Sequence, residues 1–167
     1  SFQPFLISND KLNMSFCHNG NIINSNEIQY LMKLKYDVEI EDNISDSMVL
    51  FKFIFHFLNT EILKMNKISN DIIINLSNYL HNIIHGSFSI IFSIDNYGIV
   101  AMKDKRGIRP LIYGKNENND YLISSESCSL NNVLNYKHIR ELNPGETIIF
   151  PLNEKNEIIY QYNNIDF

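Results

Sequence analysis

The chain has 167 residues, enough for one domain with a sizeable core and too few for two. Hydrophobic residues make up 44% and charged residues 20%, a balance that excludes a disordered tail. The formal net charge is −5 and lysines and arginines do not cluster, so neither a nucleic-acid groove nor a polybasic membrane surface is expected.

Asparagine and isoleucine are abundant, a compositional bias laid over an ordinary globular pattern. Cys17 and Cys128 are far apart and lack metal-ligand spacing, which fits a reducing compartment better than a disulfide framework. The apolar run from Met48 to Leu58 is broken by Lys52 and His56 and is too short to span a bilayer. The start, Ser1-Phe2-Gln3-Pro4-Phe5, has no signal-peptide character and no initiator Met, and the chain reads as a piece of something longer.

In chain order, Leu12 to Cys17 is a strand, and His18-Asn19-Gly20-Asn21 is expected to turn after it. A glycine-centred turn can aim a side-chain amide and a backbone N–H at one point, the geometry that holds a developing oxyanion. Asn26 to Leu34 reads as a helix with Ile28, Leu31 and Met32 on one face. A second helix starts at Ser45 or Asp46 and carries apolar residues through Phe57, a density that predicts deep burial. Ser69-Asn70-Asp71 caps a third, from Ile72 to about His85, with Gly86 as its stop.

Strands follow. Phe88 to Ile94 and Gly98 to Met102 form a hairpin around Asp95 to Gly98, and Pro110 to Tyr113 and Tyr121 to Ser124 flank a polar loop. Ile139 to Leu142, Thr147 to Phe150 and Ile158 to Tyr162 complete the set, with Asn143-Pro144-Gly145 as a turn. One strand, then helices, then strands implies an α+β domain with mainly antiparallel sheets and helices on the outer faces.

Several short motifs recur in a fixed order: Gln3-Pro4-Phe5, His18-Asn19-Gly20-Asn21, Ser45-Asp46-Ser47, His85-Gly86-Ser87-Phe88-Ser89, Asp104 through Leu111, Ser125-Glu126-Ser127-Cys128 and Leu142-Asn143-Pro144-Gly145-Glu146. Together they resemble the glutaminase domain of the class II glutamine amidotransferases, and within that family they are most like the amidophosphoribosyltransferases. The resemblance spans residues 1–167 as a partial domain. It implies an N-terminal nucleophile hydrolase fold, a four-layer αββα sandwich of two mainly antiparallel sheets, incomplete at its N-terminus.

The resemblance also implies the chemistry: an N-terminal cysteine thiolate, with its own α-amino group as base, attacks the side-chain amide of glutamine. Ammonia then passes to a phosphoribosyltransferase domain, where it replaces the pyrophosphate of phosphoribosyl pyrophosphate in the first step of purine synthesis. By the same resemblance Asn19 supplies a side-chain NH₂ and Gly20 a backbone N–H to the oxyanion hole, each worth about 10²–10³ in rate. Glycine is expected at position 20 because a β-carbon would crowd the substrate carbonyl. Asp46 is expected to hold the α-ammonium of glutamine, or to act as a helix-start carboxylate, or both. Met48 stands where the family has a capping glutamate, which removes a partner for Ser45.

Asp104 and Arg109 are read as bracing a turn, and Ser125-Glu126 as a strand-to-helix turn. Cys17 and Cys128 lack a free α-amino group and are read as small buried hydrophobes, and Ser1 falls inside the family's domain rather than at its start. His18, His56, His81, His85 and His138 show no ligand pattern. The family's nucleophile and its carboxylate-binding arginine segment precede Gln3 and are not in this sequence, so the fragment alone is expected to be inactive. No cofactor is expected in this chain. The resemblance implies Mg²⁺ in the parent enzyme and leaves an iron–sulfur cluster open. The expected partners are glutamine and the transferase domain, in a cytoplasmic homo-oligomer with no nucleic acid or membrane. Three alternatives stand at this point: another class II enzyme such as asparagine synthetase, a catalytically dead domain kept for assembly or regulation, and an unrelated binding module.

Overall fold

A computed structural model describes residues 2–39, 41–131 and 136–163, without the side chains of residues 130, 131, 138 and 139. Ser1 and the side chain of His138 therefore lie outside the described residues.

Among the described residues, nine strands form two antiparallel sheets. The larger holds β1 (Phe5–Ser8), β2 (Asn13–Ile22), β3 (Gly86–Ile94), β4 (Gly98–Lys103), β8 (Glu146–Pro151) and β9 (Ile158–Gln161), in that spatial order. The smaller has β5 (Ile112–Lys115) between β6 (Tyr121–Ser124) and β7 (Lys137–Glu141). Helices α1 (Ser25–Tyr36), α2 (Asp46–Met65) and α3 (Asn70–Ile83) belong to the large sheet, and the single turn α4 (Cys128–Asn131) sits with β6 and β7.

Alternation along the strands separates two cores. Phe16, Phe88, Ile90, Phe92, Val100 and Ile149 point at the helices, where they meet Leu50, Phe51, Phe53, Ile54, Leu58 and Leu76. Phe16 stacks on Phe51 with ring centroids 4.9 Å apart. The opposite face of the large sheet offers Ile91, Ala101, Ile148 and Phe150 to Leu111, Tyr113 and Leu142 of the small-sheet region. Helix α2 starts where its cap predicts: the Ser45 hydroxyl accepts from Met48 N at 3.3 Å, half a capping box.

Three differences from the expected elements have clear causes. Strand β1 is new, and it exists because Phe5 to Ser8 pair with Asn13 to Phe16 across a turn that the Asn9 side chain closes, accepting from Leu12 N at 2.8 Å. The expected turn at His18 to Asn21 is absent; β2 runs on to Ile22, because β3 offers partners through Gly86. Helix α3 ends at Ile83 rather than His85, since the Asn24 amide donates to Ile83 O (2.8 Å) and accepts from His85 N (2.9 Å). Gly86 then opens β3 at φ +128°, where a β-carbon would come within 2.1 Å of the Asn21 carbonyl oxygen.

Candidate active site

The end of β2 carries the three residues singled out from sequence. Asn19 opposes Ser89 and Gly20 opposes Phe88. Phe88 directs its backbone the other way, donating to Asp104 Oδ2 (3.3 Å) and accepting from Asp104 N (2.8 Å). Gly20 and Phe88 are thus a non-hydrogen-bonded pair, and the Gly20 N–H points away from β3 to the outer edge of the sheet. Along that edge the neighbouring groups are taken. His18 N donates to Gln3 Oε1 (2.6 Å) while Gln3 Nε2 donates to His18 O (2.9 Å), and Ile22 N donates to Asp46 Oδ2 (2.8 Å). Between them the Gly20 amide has no partner among the described residues. An extended strand, not a turn, presents it.

Asn19 is exposed and projects on the face opposite the helices. There it lines a cleft of about 130 Å³ between the two sheets, with Cys17, Ser89, Ile91, Pro110 and Leu111. The side-chain amide comes from the face of the strand and the Gly20 N–H from its edge, one residue apart. Asp46 enters from α2 and its second oxygen accepts from Ser47 N at 2.8 Å. That oxygen also accepts from the Ser47 hydroxyl at 3.4 Å, and Oδ2 keeps one lone pair, so the carboxylate can receive a further donor there. The first-turn role and a ligand role are therefore compatible.

Glycine at position 20 has a reason different from the expected one. A β-carbon there would lie on the helix side, 2.2 Å from Ser87 O and 2.6 Å from His18 Nε2, and not over the cleft. The requirement is for packing under the strand. The His18 ring occupies that space, nearly buried, with Nδ1 2.8 Å from Ser47 Oγ and, among the described residues, no hydrogen-bond partner at Nε2. Burial lowers the pKa of this imidazole, against the raising influence of Asp46 and the Ser87 carbonyl.

The cysteines depart from expectation. Cys128 is exposed and Cys17 only half-buried. Burial raises the Cys17 thiol, and no hydrogen bond to its sulfur is found among the described residues, so it stays protonated at neutral pH. The Asp104 turn is as expected on one side only. The buried carboxylate accepts from Arg106 N (2.8 Å) and Gly107 N (3.0 Å), whereas exposed Arg109 contributes its backbone carbonyl, which accepts from Ser89 Oγ at 2.8 Å. Ser125-Glu126 does lead from β6 into α4. Residues His81 and His85 do not share a helix, because α3 stops before His85. Among the described residues no three His, Cys, Asp or Glu side chains converge as a cluster of metal ligands. Among them, too, no helix is long and apolar enough to cross a membrane.

Gln3 and Ser47 were visible in sequence only as parts of motifs. The signal for Ser47 is its place at one end of the buried stripe Phe51, Ile54 and Leu58, where an apolar residue would be the default.

Comparison with known proteins gives the family and the fold. A family model described as a glutamine amidotransferase domain matches residues 1–132. Amidophosphoribosyltransferase of Pasteurella multocida is 31% identical over 149 residues, covering 87% of this chain and 29% of that protein. The protein of the same name from Methanocaldococcus jannaschii is 32% identical over 146 residues, covering 87% and 28%. The chain therefore spans less than a third of the length of these relatives. The fold matches that of glutamine phosphoribosylpyrophosphate amidotransferase from B. subtilis, complexed with ADP and GMP, with a TM-score of 0.73 at 23% identity over 97% of this chain and 32% of that one.

Proposed function

The chain belongs to the glutamine amidotransferase domain family, and from that premise we propose that residues 1–167 serve as the glutaminase domain of an amidophosphoribosyltransferase. The observation that carries the proposal is the unclaimed Gly20 amide at the edge of β2, flanked by the Asn19 side chain and the Asp46 carboxylate. When a thiolate adds to the amide carbon of glutamine, the C=O π pair moves to oxygen. Asn19 Nδ2–H and the Gly20 N–H donate to that oxygen, and donors already fixed in place favour the transition state over the neutral amide. The intermediate then collapses, the C–N bond breaks, ammonia leaves with a proton, and water hydrolyses the thioester to glutamate.

Asp46 takes the α-ammonium, which selects an amino acid over a simple amide. Its charge remains unpaired by any cation among the described residues, and a substrate ammonium would supply one. Neither thiol of the chain suits the attack. Cys17 lies in the cleft but is kept protonated by burial, and Cys128 is outside it. We therefore assign the nucleophile and its base to residues of the full-length protein beyond those of this chain. Ammonia would be consumed at phosphoribosyl pyrophosphate in an associated transferase domain, with any Mg²⁺ or iron–sulfur cluster belonging outside this domain and the whole working in the cytoplasm.

The test is to incubate the full-length protein that carries this chain with L-glutamine and with glutaramate, the same amide without the α-amino group. The reading expects glutamate and ammonia in equal amounts from glutamine and far slower cleavage of glutaramate. Absence of glutamate release contradicts the glutaminase reading, and equal turnover of the two amides removes the role given to Asp46.

A further inference from the structure

Strand β2 presents Met14, Phe16, His18 and Ile22 to the helices, and α2 presents Ser47, Phe51, Ile54 and Leu58 to the strand. A serine and a histidine sit opposite each other in this otherwise apolar contact, with Nδ1 2.8 Å from Oγ. His18 is only 7% exposed, and its Nε2 finds no partner within hydrogen-bond distance among the described residues. Leaving a buried ring nitrogen unpaired opposes folding, so stability alone gives no reason for the pair to be polar.

What the pair touches suggests another reason. Ser47 N donates to Asp46 Oδ1 at 2.8 Å, and the Ser47 hydroxyl lies 3.4 Å from the same oxygen. The first turn of α2 is tied to the end of β2 by two side-chain contacts, Ile22 N to Asp46 Oδ2 and His18 to Ser47. Gly20 lies between the two anchor points on the strand. Its own position is secured independently, because Asn19 and Asn21 pair with Ser89 and Ser87 of β3. Asp46 has no comparable ladder and depends on how the helix start is seated.

Building on the glutaminase reading above, we propose that His18 and Ser47 are positioning residues that seat the first turn of α2 on the β2 edge and so set the affinity of Asp46 for the substrate α-ammonium, leaving the amide-cleavage step to Asn19 and Gly20. The α-ammonium is remote from the reacting carbonyl and is held equally in the ground state and the transition state. Loosening its partner raises KM and leaves kcat in place.

The test is steady-state glutaminase kinetics of the full-length protein with Ser47→Ala and Ser47→Thr. Ser47→Ala is expected to raise KM for L-glutamine about tenfold with kcat within about twofold, and to leave KM for glutaramate unchanged. Ser47→Thr keeps the hydroxyl and is expected to restore the wild-type KM. The proposal is overturned if Ser47→Ala leaves KM for glutamine unchanged, if it slows both amides alike, or if Ser47→Thr behaves as Ser47→Ala. A wild-type protein that does not cleave glutamine at all overturns the glutaminase reading and this inference with it, whereas an active wild type with an indifferent Ser47→Ala overturns this inference alone.

Discussion

The two faces of the large sheet are built by different physics. On the helix side the contact is continuous, aliphatic and aromatic: Leu50, Phe51, Phe53, Ile54 and Leu58 of α2 are fully buried in one cluster with Phe16, Phe88 and Phe92. On the other side the apolar seam is small, centred on Ala101, Leu111, Tyr113, Leu142, Ile148 and Phe150, and charged pairs surround it. Arg140 holds Glu146 through two nitrogens (2.6 and 2.5 Å), Lys103 reaches Glu141 at 2.5 Å, and Glu157 accepts from Tyr113 and Tyr121. One face holds the fold closed. The other joins two sheets while leaving a cleft between them, and the candidate site opens into that cleft.

The largest effect expected is on the helix side. Phe51→Ala removes a fully buried ring stacked on Phe16, and should cost about 3–5 kcal/mol in urea unfolding. A loss below about 1 kcal/mol would mean that this core is not what holds the sheet, and the contrast between the faces would collapse.

The seam should answer more weakly and asymmetrically. Arg140→Met leaves Glu146, 2% exposed, with the Asn143 N–H as its one remaining partner among the described residues, and should cost about 1–3 kcal/mol. Lys103→Met removes the buried member of its pair, 3% exposed, and leaves half-exposed Glu141 free to rehydrate, so the loss should stay within about 1 kcal/mol. Equal losses for the two substitutions would show that the burial of the partner left behind does not govern the seam.

The smallest effect is a pH dependence on the helix side. His18 and His81 are both buried, and burial lowers the pKa of each below the ordinary 6.5. In His81 both ring nitrogens face carbonyls, Ser77 O at 2.7 Å and Lys103 O at 3.1 Å, which raises the pKa but does not offset burial. The unfolded chain then binds protons first as pH falls. Stability should be level above about pH 6.5 and decline below it, toward the lower pKa values of the folded state. Urea melts between pH 7.5 and 5 check this, and a stability that rises over that interval would contradict buried neutral imidazoles.

The same contrast explains what was legible in the sequence. The helix side is written in local patterns: Ser45 and Ser69 cap α2 and α3 as expected, and the apolar density from Val49 to Phe57 is deep burial. The antiparallel sheet and its Asp95 to Gly98 hairpin were equally readable. What escaped depends on partners far along the chain. Whether His18 to Asn21 turns or extends is decided by β3, about 70 residues later, because Asn-Gly suits both a hairpin and a strand with a close neighbour beneath it. The Gln3 amide that completes the β2 edge, and the serine facing His18, are single polar side chains whose meaning appears only once strand and helix are packed. Asn19, Gly20 and Asp46 were singled out through motifs; the packing under Gly20 was not readable there, since it concerns the far side of the strand.

The measurement that bears most directly on the account is Asn19→Ala in the full-length protein, read as both glutamate release from L-glutamine and thermal unfolding. Asn19 is exposed, so its loss should leave the melting temperature within the error of the wild type while glutamate release falls about 10²–10³-fold. Unchanged glutamate release from the substituted protein would contradict the placement of the oxyanion at the end of β2.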